Sequence, residues 1–385
     1  MGKKPELLAP AGTMEKLQMA LVYGADAAYL GGEQFGLRAF GGNFTNDEIR
    51  SAVQLAHGAG KKIYVTVNVF PHNEDLVSLP DYLRFLADAD VDAVLVADLG
   101  VFSLAHEVVP NLPMHISTQA NNVNWRTVRA WQELGAERVV LARELSREEI
   151  REIRQHTDVE LELFVHGAMC ISYSGRCLLS SYFTGRDANR GGCAQSCRWK
   201  YALVEASRPG EYYPVEEDER GTYIMNSKDL CLLPYLDAVV DSGVDSLKIE
   251  GRMKSVHYVA SVVKAYRMAL DACLAGTPYA AQEAWLSELG KVSHRSYMTG
   301  FFFGKTTAAD QIYASSSYEQ SSDFVGLVRS YDSETRLAAV EQRNHIKLGQ
   351  EIEVFQPAGV LFRQELAEMW DAEGQEITAA PHPQQ

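Results

Sequence analysis

A (β/α)8 barrel is the fold class this sequence predicts, and three observations carry it. From Pro5 to Gly251, short apolar segments alternate with amphipathic ones, the order that builds a parallel sheet covered by helices. Several apolar segments are unbroken, as in Ile63-Tyr64-Val65-Thr66-Val67, which marks strands buried on both faces. Eight strand–helix units fit into roughly 250 residues, the usual span of such a barrel. An open doubly wound sheet is the alternative, but no dinucleotide glycine fingerprint follows any strand.

The predicted strands are Glu6–Pro10, Ala27–Leu30, Lys62–Val69, Ala93–Ala97, Met114–Thr118, Arg138–Ala142, Leu161–His166 and Ser246–Ile249. Helices fit between them. Thr13–Tyr23 is capped by Thr13 with Lys16 toward solvent, and Asn46–His57 starts on a capping residue. In Ser146–His156 the run Ser146-Arg147-Glu148-Glu149 reads as a capping box. The interval after the seventh strand, residues 167–245, is too long for an ordinary connection. In a barrel such an insertion lies over the C-terminal face, where active sites are built.

A helix over Ser255–Ala275 ends this region, so the barrel domain is expected to span 1–275. Residues 276–322 read as helix and linker, the linker being the small, polar stretch 307–322 with Ser315-Ser316-Ser317 and Ser321-Ser322. Residues 323–385 predict a small C-terminal β-barrel-like domain. Its strands are Val325–Arg329, Leu337–Glu341, Glu351–Phe355 and Leu361–Leu366, with turn signals at Asp332-Ser333-Glu334 and Gln356-Pro357-Ala358-Gly359.

The 385 residues are 46% hydrophobic and 23% charged, the balance of a soluble globular protein. No apolar run approaches the ~20 residues that span a bilayer. Met1-Gly2-Lys3-Lys4-Pro5 leads into a strand rather than a signal-peptide core, so a cytoplasmic location without membrane contact is expected. A net charge of −15 repels nucleic acid on average. Residues 170–200 are the exception, with Arg176, Arg186, Arg190, Arg198 and Lys200 against Asp187, giving +4 there and −19 elsewhere. Tyr173, Tyr182, Phe183 and Trp199 interleave with these cations, as base-stacking surfaces do; they would equally shield a metal centre.

Four of the six cysteines, Cys170, Cys177, Cys193 and Cys197, fall in this same stretch with the spacing C-x6-C-x15-C-x3-C. Clustering of that kind in a reducing compartment points to metal or catalysis rather than disulfides. Structural zinc usually takes two close pairs, and only the second pair here is close. The C-x3-C-x2-C of radical enzymes fails because Arg198-Trp199-Lys200 follow Cys197. Four thiolates on an irregular loop suit a [4Fe–4S] cluster, with zinc and unliganded thiols left open. Cys231, after Asp229-Leu230 at a helix start, reads as a packed thiol with a reserve role as ligand, and Cys273 in a helical pattern reads as a core thiol.

Polar residues stand at the predicted strand ends, which face the mouth of a barrel. The eighth strand ends in Lys248-Ile249-Glu250-Gly251-Arg252-Met253-Lys254. Arg252 and Lys254 would clamp carboxylate or phosphate, although a Lys–Glu pair also serves as a plain salt bridge. Asn68, Gln119, Asn121 and Arg143 end other strands and suit hydrogen bonding to a nucleobase or an acid. His166 reads as a general acid, as a donor beside a cluster ligand, or as a packed core histidine. Protease motifs fail: His106-Glu107-Val108-Val109-Pro110 breaks H-E-x-x-H, and no G-x-S-x-G occurs.

The run Glu162-Leu163-Phe164-Val165-His166-Gly167-Ala168-Met169-Cys170, continued by Gly175-Arg176-Cys177-Leu178-Leu179-Ser180, resembles the signature of the collagenase-like peptidase family U-32, E-x-F-x2-G-[SA]-[LIVM]-C-x4-G-x-C-x-[LIVM]-S. Pro5-Glu6-Leu7-Leu8-Ala9-Pro10-Ala11-Gly12, Tyr223-Ile224-Met225-Asn226-Ser227-Lys228-Asp229-Leu230 and Ser246-Leu247-Lys248-Ile249-Glu250-Gly251-Arg252 are similar to its other hallmarks. The resemblance covers nearly the whole chain and is strongest to a branch that modifies tRNA. It implies an RNA hydroxylase: prephenate-dependent conversion of the wobble uridine to 5-hydroxyuridine, with a [4Fe–4S] cluster, the tRNA anticodon stem-loop as partner and a small dicarboxylate bound. Cys170 and Cys177 match the signature cysteines, Cys193 and Cys197 the following C-x3-C. Cys231 is held in reserve because some relatives recruit another fourth ligand.

The catalytic candidates are therefore His166, Glu250 and Arg252. The substrate-binding candidates are Asn68, Gln119, Asn121, Arg143, Arg176, Arg198, Lys200 and Lys254. The alternative activities are peptide-bond hydrolysis, as the family name records, and an iron–sulfur accessory role that binds tRNA without turnover. Beyond Gln385 the resemblance implies one further strand.

Overall fold

The computed structural model describes residues 4–36, 42–169, 179–186, 194, 196, 203–204, 212–213, 217–218, 221–222, 228–275, 278–304, 319–359 and 361–381. The chain divides into two compact units, Met1–Glu319 and Gln320–Gln385. In the first, eight parallel strands close on themselves: β1 Glu6–Pro10, β2 Ala27–Gly31, β3 Lys62–Val67, β4 Ala93–Val96, β5 Met114–Ile116, β6 Arg138–Val140, β7 Glu160–Ala168 and β8 Ser246–Ile249. Each pairs with its sequence neighbour, and β8 pairs with both β7 and β1, so no edge is left open. Glu6↔Ser246 and Lys248↔Phe164 set the closing register. All eight strands lie where the apolar pattern placed them. Because β7 runs through Ala168, Gly167 and Ala168 belong to the barrel wall rather than to the insertion.

Helices cover the outside: α1 Met14–Val22, α2 Asn46–Gly58, α3 Leu79–Asp88, α4 Leu99–Val108, α5 Trp125–Glu133, α6 Arg147–Gln155, α7 Leu236–Asp241 and α8 Val256–Leu274. Their starts are chemically marked. Thr13 Oγ1 accepts the Lys16 amide, and Ser146 closes the expected capping box with Glu149. The cap of α2 is Thr45, one residue before Asn46, because Glu48 returns its carboxylate to the Thr45 amide; Asn46 has no acidic residue in that position. Lys16 does not face solvent freely. It is half-buried, and its Nζ donates to the Arg252 carbonyl at 3.3 Å. α8 buries Val259, Val262, Val263, Tyr266, Ala269 and Leu270 on one face, the three- and four-residue spacing of a core-facing helix. Each valine or leucine among them removed from water contributes roughly 1.5–3 kcal/mol.

Beyond the barrel rim, a short strand, Asp229–Cys231, pairs antiparallel with the end of β7, Asp229 opposite Ala168 and Cys231 opposite His166. On its other side it pairs in parallel with Tyr297–Met298. Cys231 is thus on a strand and not at the helix start expected from its sequence. A helix, α9 Glu283–Lys291, follows and packs on α8.

The second unit holds three two-stranded antiparallel sheets among the described residues. Gly326–Asp332 pairs with Leu337–Gln342, and Glu351–Val354 with Phe362–Glu365, as the alternating pattern predicts. The third, Ile346–Lys347 with Ala379–Ala380, is too short to leave a periodic signal.

Candidate functional site at the barrel mouth

The interior of the barrel is ionic at its lower end. Glu162, with no exposed surface, accepts Lys248 Nζ at 2.6 Å and Arg138 Nη1 at 3.2 Å. Arg138 also donates to Glu6 at 2.6 Å and to Glu160 at 2.7 Å. Tyr64 donates to Glu6 at 2.7 Å and Ser246 Oγ to Glu6 at 3.1 Å. Burial opposes ionisation of Glu162, but Lys248 and Arg138 outweigh it and hold the carboxyl below its ordinary value. Lys248 therefore belongs to the inner wall and not to the mouth, where its place before Glu250 had put it.

Above this layer, Lys248 Nζ lies 4.4 Å from the centre of the Tyr29 ring. The Tyr29 hydroxyl donates toward Glu250 Oε2 and the Ile249 carbonyl, both at 3.1 Å. Burial and then the Glu250 charge raise the Tyr29 pKa well above that of a free phenol, so this hydroxyl is a fixed donor. Glu250 sits where β8 reaches β7. Its amide donates to the His166 carbonyl at 2.9 Å, and its own carbonyl accepts the Tyr258 hydroxyl at 3.0 Å. A Cβ on Gly167, whose φ is +113°, would lie 2.6 Å from the Glu250 carbonyl oxygen, so only glycine fits this crossing.

Arg252 and Lys254 are both tied to the protein. The Arg252 guanidinium, 3% exposed, donates to Asn43 Oδ1 at 2.9 Å and toward the Gly42 carbonyl at 3.4 Å. It presses on Gly31, where a Cβ would come 2.5 Å from Nη2. Arg252 thus braces the end of β8 against the loop leading into α2 instead of standing open to an external anion. Lys254 Nζ donates to the Ser293 carbonyl at 2.8 Å. Arg143 lies 3.9 Å over the Phe164 ring and donates to the Ala168 carbonyl. It lines a small cavity beside the rim strand together with Leu163, Phe164, Leu230, Leu232 and Phe302.

His166 is 1% exposed and boxed by Tyr258, Tyr266 and Tyr297, with ring centres 5.9, 5.4 and 5.3 Å away. Tyr266 OH lies 3.4 Å from Nδ1; among the described residues Nε2 has no hydrogen-bond partner. Burial, then the Lys254 and His294 charges, push its pKa down to about 3. The ring is a neutral, packed histidine, which is the third of the readings its sequence allowed and not the poised general acid. The same Tyr266 hydroxyl lies 3.9 Å from Cys231 Sγ and donates to the Val165 carbonyl at 2.7 Å. Cys231 is 4% exposed, and burial pushes its thiol up to about 11.

Asn68 reaches Ser117, directly after β5, and Gln119 and Asn121 follow Ser117 in the same loop. Ser117 Oγ accepts Asn68 Nδ2 at 3.3 Å and the Gln119 backbone amide at 3.4 Å. Sequence reasoning missed Ser117, which looked like strand, and Tyr29, which looked like plain core. It also missed Asn122, whose Nδ2 ties the loop to the Val140 and Ser117 carbonyls at 2.9 and 3.2 Å. A polar residue at a strand end was the one signal available for Ser117 and Asn122. Cys170, Cys177, Cys193, Cys197, Arg176, Arg198 and Lys200 lie outside the described residues. No described helix is long and apolar enough to cross a membrane.

Comparison with known proteins agrees with this architecture. The chain matches the model of Peptidase family U32 over residues 12–312 and that of the Peptidase family U32 C-terminal domain over 320–385. It is 47% identical over 384 residues to the tRNA hydroxylation protein P1 of Bacillus subtilis, covering 100% of this chain and 91% of that one. It is 39% identical over 421 residues to the tRNA hydroxylation protein P of Escherichia coli, covering 98% and 92%. The 23S rRNA 5-hydroxycytidine C2501 synthase of Escherichia coli is 38% identical over 269 residues, 70% of this chain and 40% of that protein. With the barrel unit and the C-terminal unit each matched, this chain belongs to Peptidase family U32.

Proposed function

We propose that this protein hydroxylates tRNA, converting a wobble uridine to 5-hydroxyuridine at the barrel mouth. The observation that carries the reading is its likeness, along essentially its whole length, to proteins named for tRNA hydroxylation. The mouth chemistry supports it: carboxamides and a hydroxyl on the loops after β3 and β5 suit a nucleobase.

An iron–sulfur centre is part of the proposal. Cys170, Cys177 and Cys193 would hold it, with Cys197 or Cys231 as fourth ligand. Cys231 fits on its surroundings, a buried sulfur on the rim strand beside aromatic rings, where an iron would hold it as thiolate. When bound, such a cluster supplies an electron-transfer or substrate-activating iron centre. The protein's own residues shape the rest: Tyr29 fixes Glu250, Arg252 braces the β8 end, and Arg143 stays beside Phe164. A bound dicarboxylate such as prephenate is the proposed cofactor, and Arg176, Arg198 and Lys200 are the proposed phosphate contacts.

The test has two arms. Protein purified without oxygen should carry about four irons and matching sulfide, lost in Cys170→Ala. A deletion strain should lose 5-hydroxyuridine from its tRNA, by mass spectrometry, and regain it on complementation. Unchanged 5-hydroxyuridine in the deletion strain would end the reading, and cleavage of gelatin by metal-checked protein would favour the peptidase instead.

A further inference from the structure

Two asparagines on the loops after β3 and β5, Asn68 and Asn121, carry acceptors that no hydrogen bond among the described residues uses. Ser117 is 3% exposed, and by accepting Asn68 Nδ2 it fixes which way that carboxamide points. The donor end of Asn68 is spent on Ser117. Its acceptor, Oδ1, is shielded from solvent and has no hydrogen-bond partner among the described residues. Asn121 repeats the pattern two loops away: its Oδ1 is likewise shielded and unpartnered. Its backbone is held at φ +57°, in the left-handed region, by the single turn Thr118–Ala120 and the bond from its amide to the Thr118 carbonyl.

Asn122 makes the contrast clear. Its Oδ1 is also without a partner, but it is fully enclosed, and its amide ties two strands together. Asn68 and Asn121 are only half-buried; Asn68 links the ends of β3 and β5 through its Nδ2 alone, which leaves its Oδ1 outside that tie. A shielded carbonyl oxygen with no donor is costly to keep, and asparagine in the left-handed region adds backbone strain. Two such acceptors at one end of a barrel are matched by a ligand that brings donors.

An RNA nucleoside brings the right ones, the N3–H of a uracil ring and the ribose 2′-hydroxyl, when it is splayed out of its stack. We infer that Asn68 and Asn121 are the acceptors that read the target nucleoside, with Ser117 as the residue that positions Asn68. This rests on the tRNA-hydroxylation reading and names the contacts by which that site selects a uridine. A pyrimidine without the N–H leaves an acceptor unpaired, and discrimination by a missing donor is steep.

The experiment is binding of anticodon stem-loop RNA, titrated against the whole protein, with uridine or 3-methyluridine at the target position. The wild type should bind the 3-methyluridine loop about tenfold more weakly, the factor that ~1.4 kcal/mol represents. Asn68→Ala should lose about the same factor on the uridine loop and no longer distinguish the two RNAs. Asn121→Ala should weaken binding of a ribose loop but not of one with a 2′-deoxy target. The exposed Arg129→Ala should bind like wild type. If the wild type binds both loops equally, the inference is overturned without recourse to any variant. If both asparagine variants bind normally and restore 5-hydroxyuridine in cells, the inference fails while the hydroxylation reading stands. If the wild type discriminates between the loops but makes no 5-hydroxyuridine, the hydroxylation reading fails and the nucleoside contacts stand.

Discussion

Lys248 and Glu162 meet inside the barrel, Nζ 2.6 Å from Oε1, with Lys248 only 3% exposed and Glu162 not at all. Arg138 shares the same carboxylate, so one acid neutralises parts of two cations where aliphatic layers usually fill a barrel of this kind. Glu162→Ala leaves both cations short of a partner in a dry interior and is expected to cost about 3–5 kcal/mol. Urea unfolding would measure it. The double variant Glu162→Leu with Lys248→Met removes both charges and should recover a large part of that loss; recovery of none would contradict this account.

Acid should unfold the protein through His166 before it reaches the carboxylates. The folded His166 has its pKa pushed down to about 3, whereas an unfolded histidine titrates near 6.5. The unfolded chain therefore takes up the proton first, so stability is complete above about pH 6.5 and drains as the pH falls toward 3. Buried His115, also held well below its ordinary value by burial and by Arg138, adds in the same direction. Glu162 adds below about pH 4.3: its folded pKa is lowered, so its contribution is lost as pH drops through that folded value. The urea midpoint of wild type should fall between pH 7.5 and 5. In His166→Phe the fall should be smaller, and an equal fall would rule His166 out as a source.

Gly167→Ala should be among the most damaging small changes available. The new methyl would sit 2.6 Å from the Glu250 carbonyl oxygen on a backbone with φ +113°. Strain of this kind costs about 1–3 kcal/mol, and the clash adds to it. Thermal unfolding should show the loss, with Gly185→Ala as a comparison, since Gly185 also has positive φ, +68°, but nothing within 4 Å.

Arg252→Lys should behave as a disruptive change despite keeping the charge. A lysine ammonium has no fork to reach Asn43 Oδ1 and the Gly42 carbonyl together while filling the space beside Gly31. A destabilisation of about 1–3 kcal/mol is expected. Hydrogen exchange should show it as faster opening around residues 42–44; protection equal to wild type there would count against the brace.

Much of this architecture was legible in the sequence because burial on both faces leaves unbroken apolar runs. β3 and β4 announce themselves that way, and the Ser146 capping box is a local chemical signal. The charged interior was not legible, since a charged residue near a strand end reads the same whether it points into an internal ion pair or stands at the rim. Lys248 and Glu250, two residues apart, looked alike in the sequence, yet Lys248 closes an ion pair with Glu162 while Glu250 accepts the Tyr29 hydroxyl. The strand Asp229–Cys231 was hidden for a different reason: it is three residues long, and its partners are β7 and Tyr297–Met298, far off in sequence. At the site, the amides were found by their place at strand ends, while Ser117 and Tyr29 were not, because a small hydroxyl and a buried ring look like ordinary strand residues.

The pairing of Asp229 with Ala168 has a topological consequence. The polypeptide leaves the barrel wall just after Ala168 and rejoins it at a position that stands directly opposite the point of departure. Everything between is a detour whose two ends are already together, like a cassette plugged into a socket. The entropy of closing such a detour grows only logarithmically with its length, so the barrel is indifferent to how long the cassette is. A lineage can lengthen, shorten or replace it without refolding the scaffold beneath, and a short hairpin joining Ala168 to Asp229 should leave a barrel that still folds.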